Sequence, residues 1–149
     1  MDTWEQISAD AGSESSVWAA ALRPSDARER VAIWSPLVPD HLGLGLETVY
    51  EAYLVHYGRP RLFACPDPNE GVLLGDYLYA HGLVRIAEAG GVPAVAALAE
   101  LIARCAAERA DGRPADGAAW VDAARALGGA PAEDEVATAL TRHSVRVEP

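Results

Sequence analysis

The stretch 58–89, GRPRLFACPDPNEGVLLGDYLYAHGLVRIAEA, constrains the fold of this chain more than any other. Asp67 is placed to cap a helix, Pro68 suits its first position, and Glu70 stands three residues past the cap, as a capping box requires. From there Gly71, Gly75, Leu78, Gly82 and Ala89 fall on one narrow stripe at 3.6 residues per turn. Each glycine inside a helix costs about 1 kcal/mol relative to alanine, so a glycine stripe implies close approach of another helix backbone. Such a stripe serves an intrachain contact or a dimer interface equally well. Asp76 falls on a different face, near Val72, Tyr79, Ala80 and Leu83. A carboxylate in that company needs a partner or a role. An internal hydrogen bond to a tyrosine, histidine or backbone amide is the structural possibility. Positioning an arginine or a metal at a cavity is the functional one.

The remaining segments read as further helices. Residues 1–13 are polar and carry Gly12 and Ser13, a loose lead-in. SESSVWAAAL (13–22) makes a short serine-capped helix that stops before Pro24, and Ser25 caps a second over DARERVAIW, ended by Pro36 and Pro39. A longer helix spans about Asp40 to Tyr57, with Leu42, Leu46, Val49, Tyr53 and His56 as its core stripe. Gly90 and Gly91 close the glycine-striped helix and Pro93 opens the next, over 93–110. DGRPADG (111–117) is a linker to two short helices, around Ala118–Leu127 and Glu133–Arg142, after which SVRVEP frays. No β-alternation interrupts the series. The expectation is one all-α domain over 1–149, an antiparallel bundle of six to seven helices with short loops.

Composition narrows the function classes. The 149 residues carry a formal net charge of −10, and all 12 basic residues are arginine. Nucleic acid and anionic membrane both call for a basic surface and are poor partners for such a chain. Two cysteines, Cys65 and Cys105, do not make a disulfide framework. The acidic start, MDTWEQISAD, shows no signal peptide. The alanine-rich run AGGVPAVAALA is broken by Glu100 and Arg104, so no membrane span is expected and the location expected is cytoplasmic.

Two segments together resemble the trans-polyprenyl diphosphate synthase family. GRP (58–60) followed by LLGDYLYA (73–80) is similar to the family's Gly-Lys/Arg-Pro and the helix bearing Gly-Asp-Tyr-Leu. Upstream, ETVYEAYLVH (47–56) resembles the family helix Glu-Leu-Ile-His-x-x-Ser-Leu-Ile-His through Glu47, Leu54, Val55 and His56. In the family that helix runs into Asp-Asp-x-x-Asp and then Arg-Arg-Gly. Here His56 is followed by Tyr57 and at once by GRP, so the aspartate-rich motif is missing. The resemblance implies part of the isoprenoid synthase fold, since the family wraps its cavity with a considerably longer chain.

Family chemistry ionises an allylic diphosphate, which needs clustered carboxylates to hold Mg²⁺ and cations to hold the phosphates. The acidic run at 133–135 sits at a helix start, where acids favour the helix dipole. Arg59 and Arg61 resemble a solvated loop pair able to bind a phosphate. The four histidines match no zinc spacing, and no nucleophile elbow or Cys–His motif is present. The expectation is therefore no catalytic residue, no metal ligand and no cofactor, with Mg²⁺ relevant only to a retained activity. Candidate ligand-binding residues are Arg59, Asp76, Tyr50, Tyr53 and Tyr79, the tyrosines lining an apolar groove between two helices or simply filling core. Three roles compete. One is a silent synthase relative that pairs with itself or a full-length synthase, or holds an isoprenoid chain. Another is a helical scaffold module unrelated to isoprenoids. The third, an enzyme completed across a dimer, suffers because no subunit supplies the aspartates.

Overall fold

The computed structural model describes residues 1–147. Among them are six α-helices: α1 (Thr3–Glu14), α2 (Ser16–Ala21), α3 (Gly43–Tyr57), α4 (Pro68–Ala110), α5 (Asp116–Ala126) and α6 (Glu133–Val147). No strand occurs among these residues, only an isolated antiparallel bridge between Leu22 and Phe63. The fold is all-α, as the residue pattern indicates.

Helix α3 is the axis. Every residue from Gly45 to Leu54 is buried, so the helix has no solvent face along this length. It packs antiparallel on α4 through the glycines. A Cβ on Gly45 would strike Ile86, one on Gly82 would strike Val49, and one on Gly75 would lie 2.5 Å from His56 Nε2. The partner number falls along α4 as it rises along α3, a single antiparallel register. At Gly82 the obstruction includes backbone, with the Val49 amide nitrogen 3.0 Å and the Gly45 carbonyl oxygen 3.3 Å away. The glycine stripe therefore serves a contact within the chain.

Helix α4 begins at Asp67 as expected, the side chain accepting from the Asn69 amide at 2.9 Å, but the reciprocal bonds of a capping box with Glu70 are absent among the described residues. The stretch Pro68–Ala110 then comprises two helical segments that meet at Gly91. The Gly90–Gly91–Pro93 signal divides it as expected: Gly91 takes φ 72° and ψ −167°, a non-helical conformation that favours glycine, and a second helical segment follows with Pro93 near its start. That second half carries α5 antiparallel, tied by Arg104 to Asp122 at 2.9 Å and by Arg109 to Asp116 at 2.7 Å. Against the expectation of no membrane span, Pro68–Ala110 is by length and composition apolar enough to cross a membrane, with 22% of its most apolar window buried in this fold.

Four expectations need correction. Residues 1–13 are not a loose lead-in. Asp2 and Glu5 form a reciprocal capping box, and α1 buries Ile7 and Ala11 against the α3–α4 pair. Residues 25–34 are not a helix; after one 3-10 turn at Ser25–Ala27 the chain is irregular, because its later amides are taken by a side chain of α3. The linker ends at Ala115, since Asp116 and Gly117 open α5 and Asp116 is buried. SVRV does not fray: α6 continues to Val147, with His143 and Arg146 buried, while the final two residues lie outside the described range.

Two substitutions distinguish glycine as contact from glycine as accident. Gly82→Ala should lower stability by about 1–3 kcal/mol in urea unfolding, because overpacking against backbone outweighs the gain in helix propensity. Gly71→Ala, whose Cβ would meet only the Cys65 side chain at 3.7 Å, should be neutral or raise stability by up to about 1 kcal/mol.

Candidate functional site

The strongest concentration of charge inside the molecule lies on α3. Glu47 and Glu51 are four residues apart and so share a face, and both are fully buried together with Arg61. The Arg61 guanidinium donates Nη1–H to Glu47 Oε2 at 2.7 Å and Nε–H to Glu51 Oε1 at 3.0 Å. Further donations reach the carbonyls of Val31 at 2.8 Å and Glu47 at 3.2 Å. Glu47 Oε1 accepts from three consecutive amides, those of Ile33, Trp34 and Ser35, at 2.9, 3.0 and 3.1 Å. Successive N–H groups turned to one point make an anion nest, here filled by the protein's own carboxylate. Glu51 accepts from the Arg61 and Leu62 amides at 2.9 and 2.8 Å. Trp4 and Tyr50 cover the guanidinium, with ring centroids 4.7 and 5.1 Å from its carbon. Burial pushes the arginine pKa down, but Glu47 and Glu51 outweigh it and the net direction is upward.

A second polar cluster joins α3 to the C-terminal helices. The Tyr50 hydroxyl pairs with His143 Nδ1 at 2.8 Å, and the Tyr53 hydroxyl donates to Asp116, which also accepts from Arg109 Nε at 2.7 Å. Arg109 Nη2 donates to the Tyr53 oxygen at 3.1 Å. Trp34 stacks on Trp120 at 5.8 Å, and Tyr50 meets Trp120 edge-on at 5.0 Å. Burial raises the pKa of both tyrosines and lowers that of His143 to about 4, leaving its ring neutral at physiological pH.

The residues singled out from sequence do not converge. Tyr50 and Tyr53 are 0% and 1% exposed, with their rings stacked at 5.6 Å, so of the two alternatives, groove or core, they take the core. Tyr79 is partly buried and stacks on His56 at 5.2 Å. Asp76 is not in an apolar interior. Its side chain is 66% exposed and sits 3.4 Å from His56 Nε2, because the residues beside it, Val72 and Ala80, themselves face outward. Arg59 donates its amide to the Arg146 carbonyl at 2.9 Å and its guanidinium to the Val145 carbonyl, fastening the loop to the end of α6. Arg61, read as its solvated companion, is wholly interior.

The sequence pattern does not mark Glu47, Glu51 and Arg61 as a unit, nor does it mark Asp116, His143 and Arg146. Two glutamates four apart in an otherwise apolar helix were the available signal for the first. Asp116 and Arg146 lie in the stretches that read as linker and frayed end, and His143 lies just past the expected end of the last helix. Among the described residues no group of three His, Cys, Asp or Glu side chains has the geometry of a metal site. Comparison with models of known protein families, with curated proteins and with solved structures finds no match.

Arg61→Met should destabilise the protein by about 3–5 kcal/mol in chemical unfolding, since it leaves two buried carboxylates without their cation. His143 supplies a pH test. Its folded pKa lies below the ordinary value of 6.5, so the unfolded chain binds more protons, and stability present above pH 6.5 is lost as pH falls toward about 4. The loss should be on the order of 2–3 kcal/mol across that window and should shrink in His143→Asn, as read from unfolding midpoints at stepped pH.

Proposed function

We propose that this chain is a non-catalytic relative of the polyprenyl diphosphate synthases, acting in the cytoplasm as a partner or regulatory subunit in isoprenoid metabolism. One observation carries the reading. The inward carboxylates of α3, the helix that resembles the family's Glu-Leu-Ile-His helix, are committed to Arg61 and to five backbone amides. An acid whose lone pairs are filled by a guanidinium and peptide N–H groups has little left to offer Mg²⁺. The paired walls, α3 and the Gly-Asp-Tyr-Leu helix, meanwhile pack in close register through Gly45, Gly75 and Gly82.

A subunit role is favoured over an isoprenoid-binding groove between the tyrosines, because Tyr50 and Tyr53 leave no opening there. Pairing with a second copy or with a full-length synthase falls most naturally on the outer side of α4, where Val72, Leu73, Val84 and Val92 are exposed. A second reading, a helical interaction module unrelated to isoprenoids, draws on the purely internal use of Arg61, Tyr50 and Tyr53.

Incubation of the purified chain with an allylic diphosphate, its homoallylic co-substrate and Mg²⁺ should give no elongated product. Sustained turnover would contradict the proposal. Affinity capture from the native host should recover an isoprenoid synthase; recovery of a single unrelated partner instead favours the second reading.

A further inference from the structure

Between the C-terminal end of α3 and the first turns of α4, the segment 58–66 closes a cleft of about 440 Å³. That volume lies within the range of small-ligand sites. Its walls include Val55, Phe63, Pro68 and Val72. One cation, Arg23, enters it. The guanidinium is held from behind by neutral groups only: Nε donates to the Phe63 carbonyl at 3.1 Å and Nη2 to the Pro60 carbonyl at 3.4 Å. Glu29, within electrostatic reach of Arg23, makes no hydrogen bond to it and is held in a two-point pair with Arg146. A half-buried guanidinium lining a cleft of mixed polar and apolar character, with two backbone carbonyls as its hydrogen-bond partners, is placed to take a counter-ion.

We propose that this cleft binds a small apolar monocarboxylic acid, its carboxylate on Arg23 and its hydrocarbon body against Phe63, Val55 and Val72. The carbonyls of Phe63 and Pro60 fix the plane of the guanidinium, so its remaining N–H groups are preorganised for a planar acceptor. The surroundings disfavour a polyanion. His56 lines the cleft, and Asp76, 3.4 Å from its Nε2, places a negative charge near the rim. A single cation beside that charge suits one negative head and does not suit a pyrophosphate. The site rests on the cleft and Arg23 alone and stands or falls independently of the proposed family relation.

The test is a titration of the isotope-labelled chain with hexanoate, hexanol and inorganic pyrophosphate, read from amide chemical shifts. Hexanoate should give saturable shifts at Val55, Phe63 and Gly71, with hexanol and pyrophosphate at least about tenfold weaker, the loss expected of one charge-assisted contact. Arg23→Gln should weaken hexanoate about tenfold without weakening hexanol. Gly71→Leu, which projects a side chain from α4 toward Cys65, should abolish binding while leaving the helical signal intact. The proposal is overturned if hexanoate does not saturate, if hexanol binds as tightly, or if both variants bind hexanoate like the parent chain.

Discussion

The arginine buried between Glu47 and Glu51 holds the irregular parts of this protein to its regular ones. Desolvating three charges is costly, and such a set is tolerated only when nearly every donor and acceptor is met. Here the guanidinium satisfies both carboxylates and two carbonyls, and the carboxylates take up five amides. Two loops that lack regular backbone pairing, 28–35 and 58–62, are thereby pinned to α3. Trp4 closes the assembly from α1, so the N-terminal helix is drawn into the same arrangement. Charge thus does in this core what a sheet or a disulfide does in other small folds.

Around that centre the packing follows from residue size. Glycines at 45, 75 and 82 let α3 and α4 approach until backbone and side chain touch, and the register is fixed along the whole contact. The break at Gly91 lets the two helical segments of α4 serve two neighbours in turn, α3 with the first and α5 with the second. Helix α6 then returns across the loops. Arg146 pairs with Glu29, and its backbone carbonyl receives the Arg59 amide. The C-terminal helix is therefore a clasp on the N-terminal half.

Local rules made much of this legible. The cap at Asp67, the glycine stripe and the core helix ending near Tyr57 follow from period, capping chemistry and size, which act within a few residues. What escaped was set by contacts distant in sequence. DARERVAIW has a helical pattern, but amides 33–35 find a carboxylate twelve to fourteen residues away, and that outweighs local propensity. Asp76 was misplaced for a different reason. Val72 and Ala80 made its surroundings look interior, yet apolar residues also populate surfaces, so apolar neighbours do not prove burial. Loop arginines usually lie in solvent, and in the sequence only the pair of glutamates on the neighbouring helix argues that Arg61 does not.

The functional consequence turns on the same group. If Glu47 is a structural acceptor, the amides of Ile33, Trp34 and Ser35 depend on it alone, for they have no backbone partner in that irregular segment. Native-state hydrogen exchange measures this directly. Protection of those three amides close to that of the α3 core is the predicted result. Exchange at the rate of an open loop would show that the carboxylate is not engaged, and would return it to the pool of groups able to do chemistry.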